Sequence, residues 1–432
     1  MVIERNAYLQ KLIDAVGLHL VKIITGPRRS GKSTLLFTLF ADWLRGQGVD
    51  EDHIVTMKLD RVENARYRDV EELASYFEKK RVNDGKTQFF LIDEIQFCVP
   101  KENPWVKGQF ITFYDVLNQL LDHENVEIYV TGSNSHLLSR DIATEFRGRG
   151  WQIRMRPLSF SEFLSTKEDK GNFYALWDEY WRYGGLPQCV LAKKSDAKIE
   201  YLRETFLVTY LRDIIERNRF RKDEATLETV TRILATSVGS PISLSNIANT
   251  FRSAEKANLS PATVKAYLSA MEDAFLVNEV GADSLKGRKF IGANPKYYFE
   301  DLGLRNAASG FRGESQESHC MENVVYNELV ARGYVIHSGR LSVNELVGGK
   351  QQFKQYEVDF VCEKDGDRVY VQSAMEIPDD RKMAQEKRPL LLLKDSFRKV
   401  LVSKSLSGVS RDGRGILEVG LYDFLTDPKI LG

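Results

Sequence analysis

Val21-Lys22-Ile23-Ile24-Thr25-Gly26-Pro27-Arg28-Arg29-Ser30-Gly31-Lys32-Ser33-Thr34 decides the fold. The apolar run VKIIT leads into G-x-x-x-x-G-K-[ST], and the helical pattern STLLFTLFADWL follows, which is the strand, loop and helix order this spacing requires. The glycines let successive backbone N–H groups turn inward as an anion-binding nest, and the helix N-terminus adds positive potential. Lys32 is placed to reach the β and γ phosphates of a nucleoside triphosphate, and Ser33 offers an oxygen to Mg²⁺. The stretch therefore predicts a phosphate loop made by Gly26, Pro27, Arg28, Arg29, Ser30, Gly31, Lys32, Ser33 and Thr34. Arg28 and Arg29 either touch phosphate or point to solvent. The competing reading is a glycine-rich surface turn.

A second motif weighs against that turn. Phe89-Phe90-Leu91-Ile92-Asp93-Glu94 is a buried strand that ends in two carboxylates. Downstream of a phosphate loop, Asp93 is placed to hold Mg²⁺ and Glu94 to act as the general base that orients water. A third strand, Glu127 to Thr131, runs into Gly132-Ser133-Asn134-Ser135. If it inserts between the strands carrying Lys32 and Asp93, its polar end faces the γ phosphate, with Asn134 the first candidate sensor and Ser133 the second. An N-cap turn accounts for the same residues. Arg147 and Arg149, in FRGRG, are candidates to stabilise the transferring phosphoryl group in cis or from a neighbouring subunit, against an equally weighted reading as an interdomain ion pair.

Further strands are expected at Ile54 to Leu59 and Gln152 to Arg156, with helical patterns between. Buried strands joined by helical crossovers imply an α/β doubly wound, mainly parallel sheet over residues 1–158. Residues 159–224 read as a helical lid or linker, with a long helix over Lys198 to Arg219. Residues 225–295 read as three short helices, Ala225 to Val238, Leu244 to Phe251 and Pro261 to Asp273, then a hairpin of Ala274 to Gly281 with Arg288 to Ile291. That order is a winged helix-turn-helix, and Ser260 before Pro261 supplies an N-cap. Residues 296–432 mix a helix at Glu317 to Arg332 with strands at Tyr334 to Ser338, Gln355 to Cys362 and Arg368 to Ser373.

The chain has 432 residues, too many for one core, and 43% hydrophobic against 28% charged residues is the balance of a folded protein. Lys plus Arg and Asp plus Glu both number 61, so net charge gives no general attraction to nucleic acid or membrane. Four scattered cysteines form no CxxC pair, and no apolar run reaches a membrane span. A cytoplasmic protein without a membrane partner is expected.

Taken together, GPRRSGKST, FFLIDEIQ, YVTGSNS, FRGRG and PLSFSEF, with RYGGLPQ, YLRDIIERN, KYYFEDLGLRN, MENVVYNEL and YEVDFV further on, resemble the prokaryotic AAA-type ATPases that carry an appended C-terminal domain of unknown function. The resemblance runs nearly end to end. It implies an ASCE-class P-loop core, with Lys32, Ser33, Asp93 and Glu94 in its nucleotide motifs and ATP as the nucleotide. The tail of that family often looks like a restriction-endonuclease core, which implies an α+β domain over residues 296–432. In YEVDFV, Glu357 and Asp359 share a strand face, as do Gln372 and Ala374 in VYVQSA. Glu322, Glu357, Asp359 and Gln372 thus outline a degenerate nuclease site, because Ala374 stands where the resemblance places a lysine.

Three functions follow as expectations. The first is an Mg-dependent ATPase that moves or switches its C-terminal modules, on DNA or otherwise. The second is a slow nucleotide-controlled signalling switch whose output is a protein partner or homo-oligomer, and the third an ATP-regulated nuclease, which Ala374 argues against. Lys265, Lys286, Arg288 and Lys289 suit phosphate contact by the winged helix. Yet residues 225–300 hold 8 Lys/Arg against 7 Asp/Glu, which is not a strongly basic footprint.

Overall fold

The computed structural model describes residues 2–431 apart from 134–145, 147, 219, 221–223, 255–258, 286–292, 312–315 and 348–349. The described chain divides into two compact units. The first is Met1–Pro157 with Asp273–Phe275, and the second is Leu158–Glu272 with Leu276–Gly432.

Unit 1 is built on five strands: β1 (Val21–Thr25), β2 (Ile54–Lys58), β3 (Gln88–Asp93), β6 (Val126–Gly132) and β7 (Gly150–Arg154). A small antiparallel pair, β4 (Lys101–Glu102) and β5 (Phe110–Ile111), lies between β3 and β6 in sequence. The main sheet has the order β2-β3-β6-β1-β7 and every pairing is parallel. Alternation explains its burial on both faces. Phe90, Ile92, Ile128 and Val130 enter one core, whereas Phe89, Leu91 and Tyr129 enter the other. The covering helices start where the sequence supplies caps. Asp69 accepts N–H bonds from Glu71 and Glu72 at the start of Val70–Lys80, and Thr112 with Asp115 forms a capping box for Phe113–Leu121.

Unit 2 opens with helices Phe160–Ser165, Phe173–Tyr183, Pro187–Leu191 and Ser195–Glu204. The last continues through a π-helical stretch, Thr205–Leu211, into Arg212–Asn218, so the long helix read from the sequence is present with a wider turn inside it. Helices Glu224–Thr236, Leu244–Ala254 and Pro261–Asp273 follow, and the Ser260 hydroxyl accepts the Thr263 N–H at 3.1 Å. Strand β8 (Val277–Val280) pairs antiparallel with β10 (Lys296–Phe299), while β9 (Ala282–Ser284) joins a larger sheet. The expected wing strand Arg288 to Ile291, and with it Lys286, Arg288 and Lys289, lies outside the described residues.

That larger sheet contains β11 (Val335–Val347), β12 (Lys350–Lys364), β13 (Asp367–Ala374), β14 (Arg398–Ser403), β15 (Val409–Arg411) and β16 (Leu417–Gly420), in the order β15-β16-β14-β13-β12-β11-β9. Helix Glu317–Ala331 precedes it. The RYGGLPQ turn is fixed by close packing: a Cβ on Gly185 would stand 2.2 Å from the Leu158 carbonyl oxygen, so no side chain fits. Its N–H donates to buried Asp301 at 2.7 Å, and the same carboxylate caps helix Leu302–Ala308 through Leu304 N–H at 3.0 Å.

Candidate phosphate-loop site

At the C-terminal end of β1 the chain turns at Gly26, φ 140°, where a Cβ would lie 1.9 Å from the carbonyl oxygen of Met155. Only glycine fits there. Gly31, φ 99°, closes the loop, and the helix starts at Lys32. Lys32 Nζ donates to the carbonyls of Gly26 at 2.9 Å and Pro27 at 2.8 Å, so the ammonium lies inside its own loop. From behind, buried Arg5 donates to Ser30 O at 3.2 Å and Arg156 O at 2.7 Å. No spacing or motif points to Arg5, because its partners are backbone atoms of a loop and a strand end far along the chain.

The order β3-β6-β1 leaves one strand, β6, between the strand ending at Asp93 and the strand that carries the loop. Asp93 is buried and takes hydrogen bonds from the hydroxyls of Thr131 and Ser33. Burial raises its pKa above the usual carboxylate range, and those two hydroxyls oppose the rise. A hard divalent cation takes oxygen ligands, and the Ser33 hydroxyl and Asp93 carboxylate form such a pair of donors. Thr131 also accepts the Glu94 N–H at 3.0 Å. Glu94 has a left-handed backbone, φ 53°, ψ 50°, a conformation that is uncommon outside glycine. Its Oε2 accepts from Ser133 Oγ at 3.0 Å and from Gln96 Nε2.

Lys32, Ser33, Asp93, Glu94 and Ser133 thus lie at one end of the sheet. Asn134 and Arg147 are outside the described residues. Arg149 is placed elsewhere: its carbonyl accepts the N–H of Val21, the first residue of β1, and its guanidinium pairs with Asp122 at 2.9 Å on the surface. A five-residue strand at roughly 3.3 Å per residue puts about 16 Å between that level and the loop. The arginine that the sheet does bring level with Thr25 is Arg154. Parallel pairing of β7 with β1 is the reason, since the residue before a parallel strand must lie at the end away from the loop.

The C-terminal carboxylates do converge. Lys296, with 4% of its side chain exposed, contacts Glu357 and lies 3.3 Å from Glu322, which also accepts from Tyr298 OH at 2.6 Å. Asp359 Oδ2 accepts from Ser373 N–H at 2.9 Å and from its hydroxyl at 3.1 Å. Gln372 is turned back on the strand, its Oε1 accepting Asp359 N–H at 3.3 Å. Burial and the neighbouring Glu322 push Asp359 up to about 7. Burial works against the charged form of Lys296, but Glu322, Asp359 and Glu357 outweigh it and raise its pKa. The cation of this cluster therefore comes from β10 and not from position 374. Among the described residues no group of three or more His, Cys, Asp or Glu is arranged to hold a metal ion.

A parallel sheet with a glycine-cornered loop after its first strand and paired carboxylates two strands away defines a P-loop α/β domain. Residues 19–164 match the AAA domain family, and residues 174–315 match a domain of unknown function. The chain is 34% identical over 404 residues to an uncharacterized protein of Haemophilus influenzae, 93% of each chain, and it belongs to the same family. It is 27% identical over 351 residues to an uncharacterized protein of Methanocaldococcus jannaschii, covering 79% of this chain and 71% of that one. A Walker-type ATPase of Pyrococcus abyssi aligns with 71% of this chain and 96% of its own, at 13% identity and a TM-score of 0.48. No helix among the described residues is long and apolar enough to cross a membrane.

Proposed function

We propose that unit 1 binds ATP with Mg²⁺ and hydrolyses it, and that turnover switches unit 2. The observation that carries this reading is the placement of Asp93 and Glu94 at the end of β3, with only β6 between it and the strand that bears the phosphate loop. The AAA domain match over the same residues supports it. Lys32 leaves the carbonyls of Gly26 and Pro27 for the β and γ phosphates, exchanging neutral acceptors for charged ones. The bound cation supplies charge neutralisation to the phosphates, and Ser33 and Asp93 are the residues that would hold it. Glu94 orients a water toward the γ phosphorus and takes its proton. The new P–O bond forms as the bond to the β-phosphate oxygen breaks, and the electron pair leaves with ADP.

Steady-state hydrolysis by wild type and Glu94→Gln tests the assignment. Binding preserved with turnover lost supports it, while equal turnover removes Glu94 from the mechanism. The signalling-switch reading is separated by the same assay: a single slow turnover with a large conformational change favours it over sustained hydrolysis stimulated by DNA.

In unit 2, we read residues 159–224 as a helical lid or linker, 225–295 as a winged helix and 296–432 as a nuclease-like fold. Lys265 is exposed on helix Pro261–Asp273, where a DNA contact of the winged helix would lie. A specific observation weighs against cleavage: the Lys296 ammonium neutralises the carboxylates that would otherwise bind a metal. Incubating supercoiled DNA with Mg²⁺ or Mn²⁺ is expected to leave it intact, and cleavage lost on Asp359→Ala would restore the nuclease reading. Arg149 remains a candidate only toward a second subunit, which mass measurement in each nucleotide state examines.

A further inference from the structure

Gln96 follows Glu94 by two residues, in the short 3-10 turn Ile95–Phe97. Its amide reaches back to the same carboxylate. Nε2 donates to Glu94 Oε2 and also lies 3.2 Å from Ser133 Oγ, which itself donates to Glu94 Oε2 at 3.0 Å. A carboxylate only accepts, so it fixes which end of the amide turns toward it. The three groups close a ring on one oxygen. Among the described residues nothing bonds to Oε1, the oxygen left to take a proton from water. The backbone completes the arrangement: with φ at 53° and its N–H held by Thr131, Glu94 is fixed at both ends.

Gln96 Oε1, by contrast, is buried and has no hydrogen-bond partner among the described residues. Buried acceptors are ordinarily satisfied. The amide therefore combines an engaged donor with an open acceptor next to the hydrolytic carboxylate.

We propose that Gln96 is a positioning residue for Glu94. With Ser133 it holds Oε2 so that Oε1 is the oxygen that receives the proton of the attacking water. This rests on the hydrolysis reading above. The covalent change is the one already described: the water oxygen bonds to the γ phosphorus, the bridging P–O bond breaks toward ADP, and the proton goes to Glu94 Oε1. Gln96 exchanges no atom.

The test is the steady-state kinetics of the full chain carrying Gln96→Met, which keeps length and removes the amide, and Gln96→His, which restores an N–H donor. Partners that orient a reactive group are worth about 10- to 100-fold in activity. Gln96→Met is expected to lose that much in kcat with KM for ATP and nucleotide affinity within about twofold of wild type, and Gln96→His to recover part of it. Adding Gln96→Met to Glu94→Gln is expected to cost nothing further, because the glutamine acts only through the carboxylate. Ser133→Ala, a variant outside the turn, is expected to show the same split with a smaller loss. Wild-type kcat in Gln96→Met overturns the proposal. So does a loss shared by kcat and nucleotide affinity, or an additive loss in the double variant, since either marks general damage to the turn. Absence of turnover in wild type contradicts the hydrolysis reading and takes the Gln96 role with it. Turnover that needs Glu94 but not Gln96 defeats the Gln96 role alone.

Discussion

The ammonium of Lys32 lies 2.8 Å from the carbonyl oxygen of Pro27, inside the loop it serves. The loop is thus organised around a positive charge before a phosphate arrives. Exchanging two carbonyl acceptors for phosphate oxygens strengthens both bonds, because the ammonium then faces negatively charged acceptors instead of neutral ones. Lys32→Ala is expected to weaken Mg-ATP binding by about 2–3 kcal/mol, or roughly 30- to 150-fold. Fluorescence titration with a labelled nucleotide measures it, and unchanged affinity would remove Lys32 from the site.

Lys22 and Glu127 form an ion pair across β1 and β6, with side-chain exposures of 0% and 8%. Burial lowers the Lys22 pKa, and Glu127 opposes that shift. Removing the acid leaves an uncompensated buried ammonium. Glu127→Ala is expected to destabilise unit 1 by about 3–5 kcal/mol, read from denaturant unfolding. A loss below about 1 kcal/mol would mean that the pair is hydrated.

Lys296→Met leaves Glu322, Glu357 and Asp359 without their cation. Partial exposure of Glu357 screens part of the effect, so the expected loss is about 2–3 kcal/mol. Glu322→Gln added to it is expected to recover part of the loss, since one negative charge is removed from the group. Additive destabilisation in the double variant would contradict the electrostatic coupling.

Asp301 gives a pH dependence of definite sign. Burial raises its pKa from 3.8 to about 6, against the opposing N–H bonds of Gly185, Leu304 and Gly303. The folded state therefore keeps a proton that the unfolded chain releases, and this group's contribution falls as pH rises from about 4 to about 6. Asp301→Asn is expected to lower stability at every pH, because an amide replaces one acceptor with donors. It is also expected to flatten the wild-type slope between pH 4 and 6. Thermal melts of both proteins across that range measure the difference, and parallel curves would contradict the shift.

The phosphate loop and the strand ending at Asp93 were legible because local rules fix them. A residue with no room for a Cβ must be glycine, and an unbroken apolar run of this length is a strand buried on both faces. The rest depended on which strands become neighbours. Thr131 reaches Asp93 only because β6 lies beside β3, and Gln96 reaches back to Glu94 within a turn that begins with a left-handed residue. Nearness in sequence to Ser133 points Arg149 toward the phosphates, but the direction of a parallel strand places it at the far end. Lys296 stands far from Glu357 in sequence, and no spacing rule joins β10 to β12. The sequence of β13 has no lysine at position 374, and only the folded chain shows Lys296 beside Glu322 and Glu357.

The role of Lys32, Asp93 and Glu94 depends on the Gly26 to Thr34 loop gripping a triphosphate with its cation. Calorimetric titration of the purified full chain with Mg-ATP tests it most directly. Saturable binding at one site per chain is expected, and its loss in Lys32→Ala. An absence of binding heat at two temperatures, or undiminished binding by Lys32→Ala, would contradict it.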